Sequence, residues 1–359
     1  IRSTEEIKAG EGFTMKGTGG TAPVTTMQNY VFVGKPHSGN ITNLSTNTNG
    51  TYLIGNPYPS ALDADEFIQD NLASRAGDNI FNGALYFWDH FRLTNNHLLA
   101  EYSGGYATYT LVGGVEAIAN TPLTINDGVH GSKIPSRYIP VGQAFFVEGK
   151  IDPALSETVS VNGGTLVFKN SQRDFEREAA GTSVFMKEVK AKETANSEKY
   201  VDSRPKIRLQ FDSPLGYHRP LLVGVDERTT NMFDIGFDAP LNEDNKEDMF
   251  WLIGEGKLVI QGVPNFDKDQ ELPLGLKIAK AGLVRIKIDA LENVANNVQI
   301  YIKDKRTLRF YRINDNPFEM NLEIGNYVDR FSLVFSPSQK SEQNTKDRNA
   351  FANNDICLL

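Results

Sequence analysis

Apolar and polar residues alternate in short stretches through the second half of the chain. Such alternation is typical of β-strands that bury one face and expose the other to solvent. The stretches recur at roughly 8–12-residue spacing, which predicts a β-sandwich or jelly roll over residues 205–336. They lie at Ile207/Leu209/Phe211, Leu221–Val225, Phe250–Ile253, Leu258–Gln261, Val284/Ile286/Ile288, Val298/Ile300/Ile302, Phe318/Met320/Leu322 and Phe331–Phe335.

Residues 1–171 have a similar pattern of short apolar runs separated by glycine, asparagine and proline turns. The polar stretch Asn40–Asn49 is expected to form a solvated loop or an edge hairpin. This half is therefore predicted to be a β-rich domain that starts mid-chain. Its candidate strands are Ile7–Gly17, Tyr30–Val33, Tyr52–Ile54, Leu85–Trp88, Tyr102–Leu111, Tyr138–Gly149 and Thr165–Lys169.

One segment changes from the strand period to a helical one. Pro57 and Pro59 cannot donate backbone hydrogen bonds, so they end the strand before them in an extended corner. Ser60 followed by Asp63 reads as a capping box, with Ser60 as the N-cap. We expect one short helix that continues through Ile68.

The fold class that follows is all-β, with two tandem β-sandwich (jelly-roll-like) domains and one short helix in the first. A chain of 359 residues is long for a single core, which favours two domains. The charged stretch 172–204 is predicted to be a linker between the domain 1–171 and the sandwich 205–336. Residues 337–359 are expected to be a polar tail or a linker to a missing domain, and the chain a mature product or a fragment.

Charge and composition exclude several functions. The net charge of −8 and the lack of a basic block argue against nucleic-acid binding. No apolar run is long enough to span a membrane. The single cysteine, Cys357, cannot form an intrachain disulfide or a cysteine metal cluster. No H-E-x-x-H, G-x-S-x-G or P-loop pattern is found, so we expect a protein that is not an enzyme.

Acidic residues offer the one candidate cofactor, a calcium ion. Asp63, Asp65 and Glu66 could supply hard oxygen ligands. The alternative is that they are first-turn acids that stabilise the positive end of the helix dipole. His90 and His97 are seven positions apart, a spacing that favours a surface loop over a metal site.

Aromatic residues give the clearest indication of binding. Trp88, Tyr102, Tyr106 and Tyr109 are candidate ligand-binding residues because exposed aromatic rings can stack on sugar rings. The alternative is that they belong to the core or lie half-buried in the sheet.

Long runs of the sequence resemble a module found in large secreted and cell-surface proteins of Bacteroidota, especially gliding flavobacteria. The resemblance covers about residues 5–336, and its runs include YLIGNPYPSALDADEFI, GALYFWDH, EYSGGYATY, RYIPVGQAFFVEG and RPKIRLQFDSPLGYHRPLLVGVDERTTNMFDIGFDAPL. Proteins with this module are usually cargo of the type IX secretion system and carry a C-terminal sorting domain, which is not recognisable here. The resemblance implies an extracellular or outer-cell-surface location. It transfers no catalytic residues.

Together these features predict a non-catalytic cell-surface adhesin or structural module that is exported by the type IX secretion system. The alternative is a carbohydrate-binding accessory region of a secreted polysaccharide-degrading enzyme. The expected partners are the secretion machinery during export and a surface polysaccharide or protein ligand. A catalytic domain would instead need a deep cleft with a perturbed pair of acids.

Overall fold

A computed structural model describes residues 6–15, 31–73, 79–90, 104–118, 131, 133–176, 202–243 and 245–337. The fold is all-β, as predicted, and the described residues contain one α-helix, α1 (Ala64–Asp70). The strands of the first half are β1 (Ile41–Asn47), β2 (Thr51–Gly55), β3 (Ala61–Asp63), β4 (Leu85–His90), β5 (Gly104–Thr110), β6 (Gly113–Val115), β7 (Tyr138–Ile139), β8 (Ala144–Glu148), β9 (Gly163–Phe168) and β10 (Arg173–Asp174).

The second half contributes eleven further strands. They are β11 (Lys206–Asp212), β12 (His218–Val225), β13 (Ala239–Pro240), β14 (Asp248–Ile253), β15 (Gly256–Val263), β16 (Glu271–Ile278), β17 (Gly282–Glu292), β18 (Val298–Asp304), β19 (Arg309–Arg312), β20 (Phe318–Leu322) and β21 (Gly325–Pro337). Every strand predicted in this half from alternation or from an apolar run is present, wholly or in large part.

Three small sheets surround the helix in the first half. A five-stranded sheet has the order β2-β8-β4-β5-β6, a three-stranded sheet has the order β10-β3-β7, and β1 pairs with β9. The helix buries Phe67 and Ile68, and the Phe67 ring lies 5.0 Å from the Phe168 ring and 5.6 Å from the Phe145 ring, measured between centroids. The alternation of β4 and β8 supplies this core with one face of the five-stranded sheet.

The second half forms one eleven-stranded sheet that rolls up until its two edges meet. The strand order is β19-β18-β21-β16-β14-β15-β12-β11-β17-β20, with β13 paired to β15. Strands β19 and β20 stand at opposite ends of that order, yet the Tyr311 and Phe318 rings lie 5.1 Å apart. Phe318 also lies 5.8 Å from Phe331 of β21. The layers of the predicted sandwich are thus parts of one nearly closed, barrel-like sheet.

The two halves meet through backbone as well as side chains. Leu111 N donates to Gly236 O at 2.8 Å, and Thr110 Oγ1 donates to Phe237 O at 2.9 Å. Tyr86 and Val112 belong to the same buried cluster as the core of the barrel. The division at 172–204 stays a prediction, because residues 177–201 lie outside the described part of the chain.

Some predictions in the first half are wrong at the level of single elements. Asp63, not Ser60, is the N-cap of α1, because residues 61–63 form β3 between β7 and β10. Within Ile7–Gly17, the described residues form no strand, only a bridge from Glu11 to Ile54. Residues 31–33 are also not a strand. The stretch Asn40–Asn49, expected to be a loop or an edge hairpin, contains β1.

Candidate functional site

An aromatic cluster on the five-stranded sheet is the best candidate for a binding site. Trp88 of β4 stands directly opposite Tyr106 of β5, and Phe146 of β8 pairs with Tyr86, two residues before Trp88. Side chains alternate between faces along a strand, so the register places Trp88, Tyr106 and Phe146 on the same face. We call these three residues the aromatic face.

The rings of the aromatic face touch edge to face. The Trp88 and Tyr106 centroids are 5.1 Å apart with an interplanar angle of 65°, and Tyr106 and Phe146 are 5.5 Å apart at 89°. Trp88 remains 41% exposed and Tyr106 37% exposed, whereas Phe146 is half-buried. Partial burial raises the pKa of the Tyr106 hydroxyl, so this group stays protonated and able to donate at neutral pH.

A glycine makes room for the indole ring. A Cβ atom at Gly104 would lie 2.5 Å from Trp88 Cζ2 and 2.4 Å from Asp89 O. Such distances are far inside van der Waals contact, so a side chain here would push the indole ring away. The Gly104-Gly105 pair lies in β5 and lets Trp88 cover this strand.

Tyr109 does not belong to the aromatic face. It lies three residues after Tyr106 and therefore points to the opposite side of β5, where it is 5% exposed in the core around α1. Its hydroxyl donates to Asp65 Oδ1 at 2.8 Å. Burial and the adjacent Asp65 carboxylate raise the pKa of Tyr109 well above its usual value. Tyr102 and His97 lie outside the described residues.

Two of the three acids considered for calcium, Asp63 and Asp65, already have protein partners for their carboxylates, whereas Glu66 is exposed. Asp63 Oδ1 accepts from Asp65 N at 3.0 Å and Glu66 N at 3.3 Å, and both Asp63 oxygens accept from Arg137. Asp65 accepts from Tyr109, and its pKa is raised by burial, while Tyr109 and Arg137 oppose the rise. The described residues contain no group of three His, Cys, Asp or Glu side chains placed to hold a metal ion. The geometry therefore favours the helix-capping role.

Replacing Asp63 with alanine is expected to lower the free energy of unfolding by about 2 kcal/mol, because the variant loses the cap of α1 and leaves Arg137 without its bidentate partner. Asp63→Asn keeps an acceptor for the helix amides and should lose less. Chemical denaturation followed by circular dichroism measures both. Equal losses in the two variants would contradict the capping role. A rise in the melting temperature on addition of calcium, absent in Asp63→Asn, would restore the metal hypothesis.

A cleft of about 430 Å³ opens between the end of α1 and the segment that connects β12 to β13. Its walls are mainly apolar, and Arg228 lies at its border with the guanidinium carbon 4.9 Å from the centre of the Phe237 ring. Arg228 Nε and Nη2 donate to Asp226 at 2.8 Å each, so this side chain already serves a structural pair. The cleft is thus a junction between the two halves, and its polar groups are largely engaged within the chain.

Phe146, the third ring of the aromatic face, was not among the binding residues predicted from the sequence. The stretch Ala144–Glu148 alternates, and Phe145 enters the core while Phe146 faces the other way. This alternation could have assigned the faces of the two phenylalanines. It could not have shown that β8 lies beside β4, because that pairing joins segments about sixty residues apart in the sequence.

The chain belongs to the DUF8693 family, a domain of unknown function, whose family model matches residues 1–335. No significant match was found among curated proteins or among solved structures. In the described part of the chain, no helix is long and apolar enough to cross a membrane.

Proposed function

We propose that this chain is a non-catalytic, extracellular binding module that adheres to surface polysaccharide through its aromatic face. The observation that supports the proposal most directly is the exposed, mutually contacting pair Trp88 and Tyr106. The proposal joins the adhesin expected from the sequence with the carbohydrate-binding alternative. Both are binding functions without chemistry, and the candidate binding residues lie in the first half of the chain.

The aromatic face suits a sugar ring for a physical reason. A pyranose has one apolar face of C–H groups and a rim of hydroxyls, so it prefers a surface that is apolar but bordered by hydrogen-bonding groups. Trp88 offers a large ring at low entropic cost, and Tyr106 adds a hydroxyl that can donate or accept. The neighbouring rings restrain both side chains, because each rests edge-on against the next. A restrained platform loses less entropy on binding.

The location and export route rest on the resemblance to modules of Bacteroidota surface proteins. That resemblance supports an outer-cell-surface location, a role in adhesion during gliding, and export by the type IX secretion system. Partners of this kind are consistent with an acidic, all-β chain whose sole cysteine is Cys357.

The test is a glycan-array screen of the purified chain, run once with calcium and once with a chelator, followed by affinity measurement on the best glycan. We expect Trp88→Ala to weaken binding about tenfold or more, and Tyr106→Ala to weaken it by a smaller factor. The matched control is Phe175→Ala, which removes an aromatic ring that is 81% exposed but belongs to a different part of the surface.

Binding that survives Trp88→Ala and Tyr106→Ala would remove the aromatic face from the mechanism. A blank across all polysaccharides would overturn the carbohydrate proposal and favour a protein-binding or purely structural surface module. Circular dichroism of each variant confirms that the fold is retained, which we expect because both side chains lie partly in solvent.

A further inference from the structure

Four turns gather at one end of the barrel. In the register, Ile278 of β16 lies opposite Gly325 of β21, Asp304 of β18 opposite Phe331, and Gly282 of β17 opposite Leu322. The connections 213–217, 279–281, 305–308 and 323–324 therefore project from the same end. The first half of the chain packs against the other end, where Val112 meets Gly224. We call the end formed by the four turns the free end.

Large apolar side chains protrude from the free end. Leu308 is 76% exposed, Ile324 67% and Phe310 58%. Leu283 and Val328 are exposed at the same end. They are convex features on turns and strand ends, not the walls of a groove. Such a concentration of exposed apolar residues on one end of a folded domain indicates a surface that meets an apolar partner.

Leu308 adopts a backbone conformation that favours glycine. Its φ is 56°, in the left-handed region, and it is the last residue of the four-residue turn between β18 and β19. Glycine or asparagine would take this conformation with less strain. With 76% of its surface exposed, the Leu308 side chain recovers little of that cost by packing within the chain. A leucine here is thus explained better by an external contact than by stability.

Cationic groups surround these apolar side chains. Arg306 and Arg309 flank Leu308, are exposed, and have no carboxylate partner within the described residues. Lys305 also lies in this turn and bonds to Glu271 at 3.1 Å. Two exposed acids, Glu323 and Asp329, are at the same end. The hairpin 303–312 nevertheless contains five basic residues and one acid, in a chain whose net charge is −8.

Buried hydrogen bonds fix the base of the hairpin 303–312. Asp304 is fully buried, and Arg330 Nε and Nη2 donate to its two oxygens at 3.0 and 2.9 Å. Asp304 Oδ1 also accepts from Arg306 N at 3.0 Å, and Lys305 N donates to Arg330 O at 2.8 Å. The tip is therefore a rigid projection, which needs no ordering when it meets a partner.

We propose that the free end attaches the protein peripherally to an anionic lipid bilayer. Leu308 and Phe310 enter the boundary between head groups and acyl chains, while Arg306 and Arg309 bind the lipid phosphates. Exposed aliphatic side chains favour lipid over polysaccharide, because leucine gains little from a hydrated sugar surface but much from hydrocarbon. Basic residues beside them supply the attraction to negative head groups. This site is separate from the aromatic face, and neither proposal depends on the other.

The test is co-sedimentation of the full chain with vesicles of phosphatidylcholine alone and of phosphatidylcholine mixed with phosphatidylglycerol. We expect binding to the mixed vesicles that weakens as salt is added. Leu308→Gly should reduce the partition coefficient roughly tenfold or more, and Arg306→Ala about fivefold. Leu308→Gly should at the same time keep or raise the denaturation midpoint, since glycine suits the left-handed backbone. Loss of binding together with retained stability cannot result from misfolding.

Met232→Ser is the matched control, because Met232 is 66% exposed but lies on the segment between β12 and β13, away from the free end. Wild-type-like binding by this variant is expected. No binding to either kind of vesicle would overturn the proposal. Binding to dextran sulfate but not to vesicles would also overturn it, and would indicate a soluble polyanion as the partner. Equal losses in Met232→Ser and Leu308→Gly would show that the free end is not the contact.

Discussion

Gly83→Ala is expected to lower the free energy of unfolding by about 3 kcal/mol or more. Gly83 has a φ of 83°, and an added Cβ would lie 2.3 Å from Gly236 N and 2.6 Å from Gly236 Cα. The obstacle is backbone, which cannot rotate away as a side chain can. Because Gly83 belongs to the first half of the chain and Gly236 to the second, the substitution should force the two halves apart. Chemical denaturation measured by circular dichroism gives the loss.

Gly34→Ala is the matched control for this experiment. A Cβ at Gly34 would meet no atom within 4 Å, and its φ is not in the left-handed region. We expect a change within about 0.5 kcal/mol. Limited proteolysis adds a second observable, because separation of the halves should expose the segment around Leu111 and Phe237. If Gly83→Ala were as stable as Gly34→Ala, the close backbone contact between the halves would be refuted.

Arg219→Met is expected to cost about 3–5 kcal/mol, because it leaves buried carboxylates without their cation. Arg219 Nε donates to Asp248 Oδ1 at 2.6 Å, and Nη2 donates to Asp248 Oδ2 at 2.8 Å and to Glu243 Oε2 at 3.3 Å. Arg219 and Asp248 are each 2% exposed. Burial already raises the pKa of Glu243, although the Arg219 charge opposes the rise.

The loss in Arg219→Met should depend on pH in a defined direction. Without the guanidinium, nothing from Arg219 opposes the burial that already raises the pKa of Glu243, so in the folded state this pKa lies further above that in the unfolded chain, about 4. The folded variant then binds protons more tightly than the unfolded one, so its deficit shrinks as the pH falls from neutral towards about 4. Urea denaturation at several pH values measures this. A deficit that is constant with pH would contradict it.

Arg285→Met is the control for the buried pair. Arg285 Nε donates to Glu319 Oε1 at 2.7 Å, but both side chains are more than two-fifths exposed. Solvent screens such a pair, so its loss should cost at most about 1 kcal/mol. The contrast between two arginine–carboxylate pairs of similar length isolates the effect of burial.

The strands of the second half could be predicted because their signal is local. Residues such as Val284 and Ile286 alternate with charged neighbours, and all of this information lies within one strand. Strand β16 was missed, since its Leu-Pro-Leu-Gly-Leu run contains two residues that usually interrupt strands. Its partners β14 and β21, far away in the sequence, support it in the sheet.

The N-cap of the helix could not be predicted from the neighbouring residues alone. Both Ser60 and Asp63 are good N-cap residues, and each is followed three positions later by an acid, Asp63 and Glu66 respectively. The choice is made by β3, whose residues Leu62 and Asp63 pair with Ile139 and Tyr138. That pairing keeps residues 61–63 extended until Asp63. This pairing with a strand distant in the sequence cannot be recognised from the residues around the helix.

For the candidate site, the alternation of side chains along a strand was sufficient to predict part of the aromatic face. Trp88 and Tyr106 were both candidates and do form one face, whereas Tyr109 is separated from Tyr106 by an odd number of positions and lies in the core. The position of Phe146 beside Trp88 and Tyr106 depends on the order of the strands in the sheet and was not predictable. The same holds for the free end, because four turns distant in sequence meet only once the barrel has rolled up.

Contacts between aromatic side chains, and not backbone hydrogen bonds, close the barrel between β19 and β20. We call this line of closure the seam. Strands β19 and β20 lie wholly within the described residues and share no backbone pairing. Instead, the Phe318 ring of β20 contacts the rings of Tyr311 in β19 and Phe331 in β21. Motion across such a seam slides aromatic side chains past one another without breaking a peptide hydrogen bond. The two edge strands can therefore move relative to each other while the other strands of the barrel remain hydrogen-bonded. Because each edge lies beside the other, both are shielded from pairing with a neighbouring molecule.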